Sequence, residues 1–117
     1  MLEKSLEMAN KMIAILQDKK AFDIVLIDIA NITSIADYFI IASGASTTQV
    51  QAMSNEIDVK MKEMGYMAKG KEGMRGGRWV LMDYGDVIIH NFHDDERKIY
   101  DLEKIWSDGK ITKIENN

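Results

Sequence analysis

Asp37-Tyr38-Phe39-Ile40-Ile41-Ala42-Ser43-Gly44-Ala45-Ser46-Thr47-Thr48-Gln49-Val50 changes its pattern in the middle. From Asp37 to Ser43 it is a largely apolar, β-rich run, as expected of a strand covered on both faces. Gly44 ends that run. Ser46 and Gln49 then have the spacing of a capping box, in which each side chain satisfies a free amide at the start of a helix. Beyond them Val50, Met53, Ile57, Met61 and Met64 form one helical stripe, and Gly65 follows as a C-cap. Strand, small-residue turn and helix in succession set the class: α/β (α+β), a sheet with helices packed on it.

The same signals extend outward. Leu2 to Lys19 predicts a helix whose buried stripe is Leu2, Leu6, Ala9, Ile13 and Leu16. Asp23 to Asp28 predicts a buried strand, joined to the quoted one by a short connection from Asn31 to Ala36. On the other side, Lys69 to Gly77 holds four glycines and reads as a flexible basic loop. Arg78 to Asp83 and Asp86 to Phe92 predict two strands, with Tyr84-Gly85 making the hairpin between them. Asp94, Asp95 and Glu96 open a third helix with Ile99, Leu102 and Trp106 as its buried stripe, and Asp108-Gly109 stops it. The order is α-β-β-α-β-β-α. A short link between the first two strands and a helical crossover after the second predict a mixed four-stranded sheet, five-stranded if Tyr66 to Gly70 adds a short strand. Residues 1–109 form one domain and 110–117 a short C-terminal tail.

Composition narrows the function classes. A chain of 117 residues with 46% hydrophobic and 29% charged residues suits one globular domain. Without cysteine there is no disulfide or thiolate chemistry. The N-terminus has no apolar run of the signal-peptide kind, and no stretch is long enough to span a bilayer. The expectation is a soluble cytoplasmic protein with no membrane partner. A net charge of −4 argues against a dedicated RNA binder. Lys69, Lys71, Arg75 and Arg78 are locally basic all the same, and are the candidates for a peripheral RNA contact.

A search for catalytic chemistry turns up little. The Gly44-to-Thr48 turn before a helix is a natural anion site, but it has one glycine and no P-loop lysine, so a turn and cap suffice to explain it. Glu56 and Asp58, two apart on the second helix, point about 200° apart and cannot share a magnesium ion. His90 and His93 fall on opposite sides of a strand and lack further ligands, so no metal and no cofactor are expected. Neither Ser43 nor Ser46 sits in a nucleophile elbow. Asp83 and Asp86 flank a hairpin, where aspartates serve turns. The nine methionines include Met53, Met61 and Met64 on the helix stripe, where packing explains them. Trp79, beside Leu81 on a strand, is either core or, if no helix covers that face, part of an exposed apolar patch.

Two segments carry a resemblance. One is the quoted stretch. The other runs from Gly77-Arg78-Trp79-Val80-Leu81-Met82-Asp83-Tyr84-Gly85-Asp86 through His90 and His93 to Glu96-Arg97-Lys98-Ile99-Tyr100-Asp101-Leu102 and Trp106. Together they resemble the Iojap, or ribosomal silencing factor, family over nearly the whole chain. The resemblance implies a nucleotidyltransferase-like fold without its catalytic carboxylates. It further implies binding to the fourteenth protein of the large ribosomal subunit, on the face that meets the small subunit, so that joining is blocked and translation falls. Organelle relatives are linked to ribosome assembly. Carried over by position, Trp79, Leu81, Met82 and Asp83 lie at or beside the partner surface, with Tyr38, His90 and Arg97 as further candidates. Asn91 stands where an apolar residue is more typical, and Thr48 where a basic one is.

Three functions follow from these observations. A steric anti-association factor suits the Trp79 strand, the acidic balance and the lack of an active site. A nucleotide-acting enzyme has only the Gly44 turn in its favour. A direct RNA binder would use the four basic residues of the loop and show salt-dependent binding. A sheet with an apolar patch can also pair with itself, giving a homodimer when the protein is free.

Overall fold

The computed structural model describes residues 2–115, with only the backbone of Leu2. Its elements are α1 (Leu2–Asp18), β1 (Phe22–Asp28), β2 (Tyr38–Gly44), α2 (Thr47–Glu63), β3 (Gly70–Glu72), β4 (Trp79–Asp83), β5 (Val87–His93), α3 (Asp94–Tyr100), α4 (Leu102–Ile105) and β6 (Lys110–Lys113). The strands form one mixed sheet in the order β3-β4-β5-β2-β1-β6. β2 and β5 pair in parallel, with Ile40 opposite Ile89, and the other pairs are antiparallel. The chain between β2 and β5 crosses through α2, as a parallel pair requires.

Alternation along the strands divides the core in two. On one face Ile24, Ile40, Ala42, Val80, Met82 and Ile89 pack under α1 and α2. On the other, Val25, Ile27, Phe39, Ile41, Ile88 and Phe92 form a smaller cluster against Trp79, Leu81, Leu102 and Trp106. The expected runs at 23–28 and 37–43 are therefore buried from both sides, but unequally: two long helices cover one face and the short α3–α4 segment covers part of the other.

The turn from β2 to α2 follows the expected chemistry with one change. The Ser46 hydroxyl accepts from the Gln49 amide at 3.0 Å, and the Gln49 side-chain oxygen accepts from Ala45 N at 2.7 Å. At the far end Gly65, at φ +93°, lets its own amide reach Lys62 O and that of Tyr66 reach Met61 O, which closes the last turn.

Several expectations need correction. The buried stripe of α1 is Ser5, Met8, Ala9, Met12, Ile13 and Leu16, while Leu6 is exposed. Met8 and Met12 are as apolar as Leu6, so composition alone did not choose between adjacent faces. Met64, beyond the last turn of α2, is exposed. The third helix is two: Asp101 at φ 49°, ψ 54° breaks it, and Ile99 is 72% exposed instead of buried. The extra short strand is Gly70–Glu72, not Tyr66 to Gly70. The segment taken as a tail contributes β6, antiparallel to β1 with Ile111 opposite Ile27. Asn116 and Asn117 of that segment lie outside the described residues. The sheet thus has six strands where four or five were expected.

Candidate functional site

The partly covered face carries an unbroken line of rings. Trp79 on β4 stacks on Phe92 of β5, with centroids 4.9 Å apart, and packs against Tyr100 of α3 at 4.5 Å. His90 lies 6.0 Å from Trp79 and 4.9 Å from Phe39, which meets Trp106 edge-on at 5.0 Å. Register makes this line. With the turn at Gly85, Trp79 sits opposite Phe92 and Leu81 opposite His90, so their side chains share a face. Trp79 and Leu81 remain half-buried and Tyr100 is 46% exposed. The open question about Trp79 resolves to both answers: the indole packs on Phe92, Tyr100 and His90, and part of the residue still meets solvent. On the adjoining helices Ile99 and Ile105 also point outward, the latter 68% exposed.

His90 is buried at 5% exposure, and its Nδ1 accepts a hydrogen bond from the Trp79 indole N–H at 3.1 Å. Burial pushes its pKa down to about 4, so the ring is neutral at physiological pH. An indole nitrogen can only donate, so Nδ1 carries no proton and the hydrogen is on Nε2.

Not all of the other expected partner residues share this surface. Met82 is fully buried and Tyr38 is 8% exposed, both on the opposite face under α1 and α2. Their places in the strands have the wrong parity. Asp83 has the right parity and is half-buried, with its Oδ1 accepting from Gly85 N at 2.8 Å as a turn residue. Arg97 is 8% exposed. Its guanidinium donates to Asp23 O at 2.5 Å and Ser43 Oγ at 2.8 Å, and grips Glu103 at 3.0 and 3.4 Å. It clamps α3 and α4 to the ends of β1 and β2. Residue-type patterns missed Phe92, Tyr100 and Ile105; counting register from Gly85 would have put Phe92 beside Trp79.

The glycine-rich loop is pinned, not loose. Gly77 N donates to Gly73 O at 3.1 Å, and the Gln51 side chain on α2 donates to Met74 O and Arg75 O at 3.2 and 2.6 Å. Of its basic residues, Lys71 shares Asp58 with Lys62, at 3.2 and 3.1 Å, and Arg78 pairs with Glu96 at 3.2 Å. The two lysines hold the Asp58 carboxyl below its usual range against the opposing effect of burial. Among the described residues no ion pair engages Lys69 or Arg75.

The Gly44 turn offers little to an anion. The Ala45 and Gln49 amides are taken by side chains within the turn, and the Gln49 side-chain nitrogen donates to Lys20 O at 3.0 Å. Gly44 is needed for packing, since a Cβ there would lie 2.9 Å from the Val50 side chain. Asp58 is committed to two lysines, and no group of three or more His, Cys, Asp or Glu among the described residues could hold a metal ion. No helix among them is long and apolar enough to cross a membrane.

Comparison with known proteins agrees with this architecture. Residues 2–117 match the family model described as ribosomal silencing factor during starvation. The chain is 46% identical over 98 residues to the ribosomal silencing factor RsfS of Bacillus subtilis, covering 84% of this chain and 83% of that one. A crystal structure of a protein from Chromobacterium violaceum superposes with a TM-score of 0.85 at 37% identity, covering 95% of this chain and 93% of the other. A more distant mouse relative, 29% identical over 101 residues, is named mitochondrial assembly of ribosomal large subunit protein 1; the match covers 84% of this chain and 44% of that protein. The resemblance to the Iojap proteins is borne out with these matches, and this chain belongs to the ribosomal silencing factor family.

Proposed function

We propose that this protein represses translation by occupying the large ribosomal subunit, through its fourteenth protein, so that the small subunit cannot join. The observation that carries this reading is the half-exposed apolar surface of Trp79, Leu81 and Tyr100, continuous with the second core cluster. An aromatic anchor supported from below and open above is the usual centre of a protein interface. No covalent step is needed: the bound body is itself the obstacle. A net charge of −4 favours approach to a basic ribosomal protein.

Trp79, Leu81 and Asp83 are the proposed contact residues. His90 and Arg97 act from beneath, one against the indole and the other on the α3–α4 segment. Lys69 and Arg75, without ion partners among the described residues, are the better placed of the basic residues for a peripheral contact with ribosomal RNA. Free of the ribosome, the same apolar surface is suited to pairing with a second copy. On this reading the protein acts in the cytoplasm, where the subunits meet.

The test is co-sedimentation with purified large subunits. Trp79→Ala should weaken binding by about thirtyfold or more, the range of an interface anchor, while the circular dichroism spectrum persists. Unchanged binding by a folded variant would refute the proposed surface. A role in large-subunit assembly, favoured by the name of the mouse relative, predicts the same binding but accumulation of precursor particles when the protein is removed.

A further inference from the structure

The histidine buried beneath the Trp79 face poses a problem of stability. His90 is 5% exposed among Phe39, Phe92 and Leu81. Its Nδ1 accepts from Trp79, which puts the proton on Nε2, and that nitrogen has no hydrogen-bond partner among the described residues. The Phe39 ring, 4.9 Å away and at 75° to the imidazole, supplies no lone pair. A buried donor without an acceptor is destabilising. An apolar residue of similar size would fill the same space without that penalty. Phenylalanine or leucine would fill the space as well, but would leave the indole N–H of half-buried Trp79 to find its acceptor in solvent. What the histidine supplies is a fixed acceptor at Nδ1, and the group that donates to it is the indole N–H of the most prominent residue on the proposed partner surface.

We infer that His90 is a positioning residue for binding: it sets the orientation of the Trp79 ring and holds it ready for the partner, at the expense of the stability of the fold. The geometry supports this from two sides. Stacking on Phe92, with 25° between the planes, and contact with Tyr100 limit where the indole can lie. Those contacts leave it free to slide or flip within its plane, whereas a directed bond at 3.1 Å does not. Side chains fixed before binding lose less entropy on binding. His90 is below the surface and touches no partner, so its effect on affinity passes through Trp79.

The inference rests on the proposed role of the Trp79 face, and its test separates the two. Two variants remove the acceptor, His90→Phe and the smaller His90→Leu, and His90→Asn returns an oxygen close to the position of Nδ1. In ¹⁵N-labelled protein the two indole N–H signals, assigned with Trp106→Phe, report the bond directly. Loss of the acceptor should move the Trp79 signal upfield and speed its exchange with solvent. Affinity for purified large subunits should fall about three- to tenfold, the worth of one ordering hydrogen bond. The thermal midpoint should stay level or rise in at least one of the two apolar variants, and the asparagine variant should recover part of the affinity. A Trp79 signal unaffected by His90→Leu would overturn the inference, as would unchanged affinity with a shifted signal, or destabilisation by both apolar variants. If Trp79→Ala itself binds normally, the reading of the face fails, whatever the indole signal does.

Discussion

Replacing Arg97 with alanine should loosen the covered side of the Trp79 face more than any exposed charge change could. The side chain is 9% exposed and makes four hydrogen bonds, to Asp23 O, Ser43 Oγ and both oxygens of Glu103. Those partners come from β1, β2 and the start of α4, so a single group on α3 ties four elements together. Removing it leaves the carbonyl and the hydroxyl short of a donor, and the Glu103 carboxylate, 31% exposed, without its counter-charge. Breaking a buried ion pair by deleting one partner costs about 3–5 kcal/mol. Glu103 can turn toward water, which points to the lower end, about 3 kcal/mol. Stability in a domain of this kind is about 5–15 kcal/mol, so the variant should remain folded. With a urea slope of about 1.5 kcal/mol per molar, the midpoint should fall by roughly 2 M. Because Tyr100 packs on Trp79 from the same segment, amide exchange in residues 94–106 should rise first. A urea titration followed by fluorescence gives the magnitude, and Arg97→Lys, which keeps the charge but not the fork, should fall between. A loss below about 0.5 kcal/mol, the range of ordinary surface changes, would refute the clamp.

Other consequences are equally direct. His90 titrates near 4 in the native state against 6.5 when unfolded. The unfolded chain thus gains a proton first, and stability should drop by up to about 3 kcal/mol between pH 6.5 and 4 and show no contribution from this group above that window. The difference between wild-type and His90→Phe stability curves isolates it; parallel curves would contradict a buried neutral ring. Ser54 Oγ donates to Val50 O at 2.7 Å and accepts from Asn91 Nδ2 at 3.0 Å, entirely within the core. Ser54→Ala should cost about 1–3 kcal/mol by stranding Asn91, and adding Asn91→Val should restore much of it, a non-additivity that a double-mutant cycle in urea measures. Gly77 sits at φ +68° with a hypothetical Cβ only 2.5 Å from Thr47 O. Gly77→Ala should cost more than about 1 kcal/mol and release the basic loop from α2, seen as faster proteolysis there.

Much of the fold was legible because local chemistry and tertiary context agree. The β2–α2 unit announces itself through its apolar run, Gly44, Ser46 and Gln49, and the β4–β5 hairpin through Gly85. What escaped the sequence lacked such a signal. Lys110–Lys113 is an exposed edge strand with no apolar alternation, paired to β1. Leu102 and Trp106 both follow Asp101 and keep their spacing, while Ile99 before it turns outward, so the apolar periodicity gave no sign of a residue in the left-handed region between them. Arg97 looked like a surface residue because arginine usually is; its partners at positions 23 and 43 are far away in sequence. Tyr38 and Met82 were carried over by position from the family resemblance, while strand parity puts their side chains on the opposite face of the sheet from Trp79. Parity and register together would have selected Trp79, Leu81 and His90 from the same residues.

The central claim is steric, and sucrose-gradient sedimentation of purified ribosomal subunits at fixed magnesium tests it most directly. With the wild-type protein, free subunits should accumulate and the protein should travel with the large one; with Trp79→Ala, subunits should join as if no protein were added. Normal joining in the presence of the wild-type protein, with the protein left at the top of the gradient, would contradict the account.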